Sequence, residues 1–377
     1  MSSFNHVAIL GRQPGLSLME LESVAGYDNI QPFGDGVALL RESLDVSCLG
    51  GTLKIGEILY RGNVTPLDEL PAAVDALHMR SSKTPFAISL YGVNASSRDL
   101  LAGGLALKKR LRSRGSVRLI TPAQGLTVSA AGLRHNKVLE TGFELLVIAN
   151  QQEMIVARTT GVQDVDWYST RDYGRPARSA KVGMLPPKLA QILVNSTAAS
   201  VICDPFCGTG VILQEALLLG REAYGSDVAD EMVEATISNL GWLDRQGERD
   251  LPHWHSQAAD ARTVTVPPSC AIVTEGYLGP NLMHSPTVQE LGNIRESLLP
   301  LYRESLQSWA SQLVSGDEVS LCAPVWRIQR AWHYLELVDE LPRLGYTLKS
   351  FAHVPTPLIY AREDQVVGRQ LLLLRKT

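Results

Sequence analysis

The stretch Val201-Ile202-Cys203-Asp204-Pro205-Phe206-Cys207-Gly208-Thr209-Gly210 reads as a buried strand that runs into a glycine loop and then a helix. An apolar run ends in an acid, and two glycines follow at a spacing that keeps side chains off the loop. Val211 to Leu219 continues as an apolar helix that Gly220 stops. Such a strand–loop–helix unit lets a ligand approach backbone.

What is missing narrows the ligand. The loop lacks the Lys-Ser/Thr of a phosphate-binding loop and the third glycine of the dinucleotide fingerprint, so a polyphosphate is not its natural occupant. Asp204 at the strand tip suits a positively charged group such as an amino acid's ammonium. A second strand, Arg221 to Gly225, leads into Ser226-Asp227, where a carboxylate can accept two hydrogen bonds from ribose hydroxyls. Asp260, in Ala258-Ala259-Asp260-Ala261, is placed to accept from the exocyclic amine of adenine. Ammonium, ribose and adenine together describe S-adenosylmethionine.

The DPFCGTG segment, with Asp227 and Asp260 downstream, resembles motif I and its partners in class I methyltransferases. Arg171-Asp172-Tyr173-Gly174-Arg175-Pro176, the stretch Gly183 to Ala190 and the opening Ile9 to Ser17 resemble THUMP-containing tRNA guanosine-N2 methyltransferases of the guanosine-10 type. The resemblance implies a cofactor set of Asp204, Phe206, Cys207, Gly208, Thr209, Gly210, Asp227, Val228, Asp260 and Ala261. It also puts Leu185 and Pro186 over the cofactor's methionine end.

The implied fold is α/β. A Rossmann-like methyltransferase domain, with a mostly parallel seven-stranded sheet and an antiparallel terminal hairpin, occupies 161–377. It follows a ferredoxin-like domain at 1–79 and a THUMP-like domain at 80–160. The pattern after the glycine loop predicts helices at 229–240, 294–313 and 331–344, with strands at 270–274, 319–322, 346–351, 358–361 and 370–374. A turn at Glu363-Asp364 joins the last two. Alternating strands and helices of this kind build a parallel sheet covered on both faces.

The chain has 377 residues, 45% of them apolar and 20% charged, which is ordinary for a globular protein with room for two or three domains. The first residues show no basic region followed by an apolar core, so a cytoplasmic location is expected. Five scattered cysteines contain no Cys-x-x-Cys pair, and His253-x-His255 has no third ligand at a useful spacing, so no metal is expected.

The net charge of −4 is unevenly spread. Residues 1–79 carry −6, residues 80–160 carry +8 and residues 161–377 carry −6. The basic middle block is the footprint of phosphate-backbone contact. Within it a helix over 97–111 leads into Lys108, Lys109, Arg110, Arg112, Arg114 and Arg118, with no acid between them. Some of these cations suit a helix C-terminus, but six exceed that need and point to RNA contact, and the family resemblance implies tRNA as the partner. A strand at 125–131 and a helix at 133–137 follow, and by the THUMP resemblance His135, Asn136 and Lys137 present polar groups to RNA.

The strand Ala271 to Thr274 ends in Glu275-Gly276-Tyr277-Leu278, the expected catalytic loop. Related amino-group methyltransferases carry Asp or Asn, two prolines and an aromatic residue here. Their side-chain oxygen and a backbone carbonyl hold the amine protons as the nitrogen becomes tetrahedral, while the ring stacks the base. Glu275 supplies the acceptor, Gly276 the carbonyl and Tyr277 the ring, but both prolines are missing. The alternatives are an amino-methyltransferase of DNA bases, or a homologue that binds cofactor and RNA without transferring methyl. Whether an activator subunit is needed stays open.

Overall fold

The computed structural model describes residues 3–72, 74, 77, 83–178, 185–247, 250–282, 284–363 and 365–377. The chain divides into two compact units, Met1–Trp167 and Tyr168–Thr377.

In the first unit β1 (His6–Leu10), β2 (Ile30–Pro32), β3 (Val37–Leu40), β4 (Thr52–Gly62), β5 (Thr84–Tyr91), β6 (Val117–Ile120), β7 (Phe143–Ala149) and β8 (Met154–Val162) share one sheet. Among the described residues its order is β2-β3-β1-β4-β8-β7-β5-β6. Strands from either side of the expected 79/80 boundary thus meet in one sheet, through the antiparallel pair β4·β8. Residues 78–82, at that boundary, lie outside the described ones. The helices are α1 (Pro14–Ala25), α2 (Ser97–Leu111), α3 (Ala130–His135), α4 (Val138–Thr141) and α5 (Val165–Tyr173), the last crossing the division between units.

Helix α2 starts on a capping box in which Ser96 and Asp99 satisfy each other's backbone N–H, and it ends on Lys108-Lys109-Arg110, where cations offset the helix dipole. Under the sheet, Lys54 Nζ reaches Glu144 Oε1 at 2.6 Å with both side chains buried. Ser89 and Thr159 hydroxyls complete the Glu144 carboxylate at 2.6 and 2.7 Å. The strand expected at 125–131 is instead a loop. Gly125 takes φ +65, Val128 N–H bonds the Ser89 hydroxyl, and Ser129 caps α3, so side chains satisfy the backbone that a ladder would have used.

The second unit contains β9 (Val201–Asp204), β10 (Glu222–Asp227), β11 (Trp254–Ala258), β12 (Ala271–Glu275), β13 (Glu318–Ile328), β14 (Ala331–Tyr334), β15 (Tyr346–Leu348), β16 (Leu358–Tyr360) and β17 (Val367–Lys376). Its helices are α6 (Pro187–Asn195), α7 (Val211–Leu218), α8 (Asp230–Gln246) and α9 (Val288–Ala310). The sheet path is β11-β10-β9-β12-β13-β17-β15, with β14 added to β13 and β16 to β17. Neighbours from β11 to β13 run parallel, whereas β17 is antiparallel to β13, β15 and β16. The expected seven strands are therefore joined by two short antiparallel ones. Asp364, in the expected turn before β17, lies outside the described residues.

The helix expected at 331–344 does not form. Gln329 and Arg330 adopt φ of 49° and 68°, a two-residue turn that folds β14 back onto β13 with Ile328 opposite Ala331. The Arg327 guanidinium then lies 4.5 Å over the Trp332 ring. Only a short helical turn, Val338–Glu340, remains, and Leu335, Leu337 and Leu341 pack into the core. With Val338 and Leu344, which also pack against this core, Leu337 and Leu341 have the i, i+1, i+4, i+7 spacing of a helix face.

Candidate active site

Four acids stand at the carboxyl edge of the second sheet. Asp204 ends β9, Asp227 ends β10, Asp260 follows β11 and Glu275 ends β12. Register sets Gly225 opposite Asp204, Ala258 opposite Asp227 and Cys322 opposite Glu275. The strand order reverses between β9 and β12, so this edge lies at a topological switch point, where open α/β sheets bind ligands.

The glycine loop is tied to these acids. Asp204 is 2% exposed and accepts from Thr274 Oγ1 at 2.6 Å and Phe206 N at 3.1 Å. Burial pushes its carboxyl up to about 7 against those hydrogen bonds, and the nearby Asp227 and Glu275 add to the rise. Asp227 accepts from Gly208 N and from Ala229 N, both at 3.0 Å. Gly208 and Gly210 take φ +51 and +81. A Cβ on Gly208 would meet no protein atom nearer than 4.0 Å, so open space faces the loop there. At Gly210 it would meet Thr236 at 3.0 Å, because α8 packs against the loop.

Cys207 is a structural member of this loop: its N–H donates to Ser226 O at 2.9 Å and its carbonyl accepts from Gly210 at 2.7 Å. Thr209 is held by its carbonyl, which accepts from Asn239 Nδ2 at 2.8 Å, while its hydroxyl lies 3.4 Å from Arg175 Nη1. Val228, directly after Asp227, is 75% exposed and offers an apolar face beside the acid.

Asp260 is gripped by Arg262, with contacts as short as 2.6 Å, and these hold its carboxyl below the usual range. The amine-accepting oxygens expected of Asp260 are thus shared with a neighbouring arginine. Ala261 is buried, and its carbonyl accepts from Trp309 Nε1 at 2.8 Å. Phe206 packs edge-on against the same Trp309 with ring centroids 6.4 Å apart.

In the loop expected to be catalytic, the Glu275 carboxylate is bound by Arg369 Nε from β17. Burial lifts Glu275 above the ordinary carboxylate range, and the guanidinium pulls against that rise. Tyr277 is 52% exposed, which leaves its ring free to stack, and its carbonyl accepts from Tyr302 of α9. Leu278 is half-buried. Arg369, Tyr302 and Asn239 carried no sequence signal, because only the fold brings β17, α9 and α8 to these loops.

The stretch before α6 is partly outside the described residues, Gly183 and Met184 included. Leu185 is buried and Pro186 sits at the start of α6. Upstream, Arg171 makes a buried double contact with Glu215 of α7 at 2.8 and 2.9 Å. The Ala177 N–H and carbonyl pair with the Asn239 side chain, both at 2.9 Å, so the lead-in is stitched to the glycine loop through one asparagine.

In the first unit, Lys109, Arg112, Arg114, Arg118, His135 and Lys137 are exposed, and Lys108 is half-buried. Arg110 differs: its guanidinium donates to the carbonyls of Leu70 and Pro71 at 2.7 and 3.4 Å. Arg118 Nη1 donates to Asn136 Oδ1 at 3.1 Å, which unites the two basic groups read separately in the sequence. Among the described residues no group of three or more His, Cys, Asp or Glu is placed to hold a metal ion, and no helix is long and apolar enough to cross a membrane.

Residues 175–274 match the UPF0020 family model, described as an RMKL-like methyltransferase domain. A tRNA (guanine(10)-N2)-dimethyltransferase of Methanothermobacter thermautotrophicus is 33% identical over 335 residues, covering 86% of this chain and 84% of the relative. The protein of the same name from Pyrococcus abyssi is 49% identical over 57 residues, 15% of this chain and 17% of the relative. The crystal structure of TrmN from Thermus thermophilus aligns with a TM-score of 0.54 at 18% identity over 99% of both chains. SMU.472 complexed with SAH aligns at 0.50 and 12% identity, over 99% of this chain and 98% of that one. These two structures show a shared fold.

Proposed function

Because this chain belongs to the tRNA (guanine(10)-N2)-dimethyltransferase family, we propose that it methylates the exocyclic amine of a guanosine in tRNA with S-adenosylmethionine as donor. The row of acids around the glycine loop is the observation that carries the cofactor reading. Asp204 suits the ammonium, Asp227 the ribose hydroxyls, Val228 the adenine face and Asp260 the adenine amine. The open space over Gly208 and the bare backbone at its left-handed φ leave the loop accessible to a ligand. The strand path with its antiparallel β17 supports assignment to the class I methyltransferases.

When bound, the cofactor supplies a methyl group on a sulfonium, whose departure as a neutral thioether needs no metal. The chain's residues do the positioning. The amine of guanine shares its lone pair with the ring, so Glu275 and the Gly276 carbonyl would accept hydrogen bonds from its N–H groups as the nitrogen turns tetrahedral, and the Glu275 carboxylate would take the proton that the methylated nitrogen sheds. The Tyr277 ring would stack the base. Holding acceptor, ring and donor in line accounts for much of the rate such a site can achieve.

For docking we read 1–79 as ferredoxin-like and 80–160 as THUMP-like, with the exposed cations from Lys108 to Arg118 and His135 to Lys137 on the tRNA backbone. A guanine inside a helix must be turned out to reach Glu275, at a cost of roughly a few kcal/mol that phosphate contacts offset. A cytoplasmic location accords with such a substrate. In a methyl-incorporation assay, tRNA should compete effectively against duplex DNA. Preferential labelling of DNA would overturn the substrate assignment.

A further inference from the structure

The loop Glu275-Gly276-Tyr277-Leu278 lacks prolines, and a residue from outside it does the work of stiffening. Resting on the methyl-transfer reading, we propose that Tyr302 of α9 is the positioning residue of this loop: its ring occupies the room a side chain at 276 would need, and its hydroxyl fixes the Tyr277 carbonyl.

Three observations carry this. First, Tyr302 is 2% exposed, and its Oη donates to the Tyr277 carbonyl at 3.0 Å. Second, a Cβ built on Gly276 would stand 2.4 Å from Tyr302 Oη, 2.6 Å from Cζ and 2.7 Å from Cε1. No side chain at 276 is compatible with the ring where it lies. Third, the Gly276 N–H donates to the Cys322 carbonyl on β13 at 3.1 Å, a bond that proline has no hydrogen to make. The tyrosine therefore demands glycine at 276, and the neighbouring strand excludes proline there.

The consequence runs into the chemistry. Glycine leaves φ free, so the loop's order has to come from its contacts. The Tyr302 bond sets the peptide plane after Tyr277, and with the Gly276–Cys322 bond it brackets the residue whose ring is exposed for stacking. Burial and the neighbouring Glu275 charge push the phenol well above its ordinary value, so it stays a donor at working pH. Tyr302 is not itself a catalytic residue; it acts through Tyr277.

Tyr302→Phe keeps the ring and removes only the donor. The expected result is a fall in kcat of at least about tenfold, with the KM for tRNA and the affinity for S-adenosylmethionine within about twofold of the parent, because phosphate contacts and the acid-lined cleft are untouched. An unchanged kcat would overturn the proposal, as would an equal loss of kcat and cofactor affinity, which marks general loosening. Should Tyr302→Phe fail to fold, Gly276→Ala displaces the ring from the loop side and should give the same kcat-selective loss; full activity there overturns the proposal. A parent protein that methylates tRNA while the variants keep its kcat contradicts only the role of Tyr302. A parent that neither binds donor nor methylates contradicts the reading beneath it, and the proposal falls with it.

Discussion

Thr274 Oγ1 donates to Asp204 Oδ1 at 2.6 Å across the adjoining strands β12 and β9, so the strand that leads into the Glu275 loop also holds the acid that leads into the glycine loop. The two halves of the site are coupled by one hydrogen bond. Asp204 is otherwise surrounded by protein, which is why its carboxyl is pushed up to about 7.

That shift gives a pH dependence with a definite sign. Facing an ammonium requires the carboxylate, which is fully formed only above about 7. Affinity for S-adenosylmethionine should fall by roughly tenfold for each pH unit below that value, and binding near pH 6.5 should release protons. Titration calorimetry in buffers of different ionisation enthalpy reads both effects. For the unliganded fold the sign is opposite: between about pH 4 and 7 the native state binds more protons than the unfolded chain, so stability falls as pH rises through that window. Asp204→Asn should therefore raise the unfolding midpoint at pH 8 while weakening donor binding. An affinity flat from pH 6 to 8 contradicts the role given to Asp204.

Asp227 holds the N–H groups of Gly208 and Ala229 at 3.0 Å, besides the ribose role proposed for it. Asp227→Ala should weaken donor binding by at least about tenfold, since charged hydrogen bonds contribute roughly 1.5–3 kcal/mol each. Calorimetric affinity unchanged by the substitution would remove Asp227 from the site.

The Glu275 carboxylate and Arg369 form a largely buried pair from β12 and β17. Glu275→Ala should mainly lower turnover. Arg369→Met takes away the guanidinium that opposes burial, so the Glu275 carboxyl rises further and the acid limb of the pH–rate profile moves to higher pH. The same variant leaves a buried charge uncompensated and should cost about 3–5 kcal/mol of stability. A profile that does not move would show that Glu275 does not govern the acid limb.

The cations of 108–118 do two different jobs. Replacing Lys109, Arg112 and Arg114 together by alanine should reduce tRNA affinity without affecting donor binding. It should also flatten the salt dependence by about 0.7–0.9 in log–log slope for each phosphate that is no longer neutralised. Arg110→Ala should instead loosen the first unit, because that side chain serves the Leu70 and Pro71 carbonyls. Filter binding across a salt series, with a melting curve for each variant, separates the two.

The strand–loop–helix unit at 201–218 was legible because its signals are local: an apolar strand, an acid at its tip and glycines at the turn, all within ten residues. Asp227 and Glu275 were legible for the same reason, each at the end of a readable strand. Arg369 lies 94 residues from Glu275 and becomes its partner only through the antiparallel placement of β17. Tyr302 lies inside the helix expected at 294–313, and nothing local marks it as a partner of the Glu275 loop. The hairpin at 331–334 escaped because its turn uses two left-handed residues, neither of them glycine. In the first unit, the pairing of β4 with β8 joins segments about a hundred residues apart, and no local pattern announces such a partner.

The most direct test is nucleoside mass spectrometry of tRNA incubated with the protein and methyl-labelled S-adenosylmethionine, beside a Glu275→Ala control. Label is expected on the N2 position of guanosine with the parent protein, and little with the control. Label on adenosine or cytidine, or none with a parent protein that binds the donor, would contradict guanine-N2 methylation at this site.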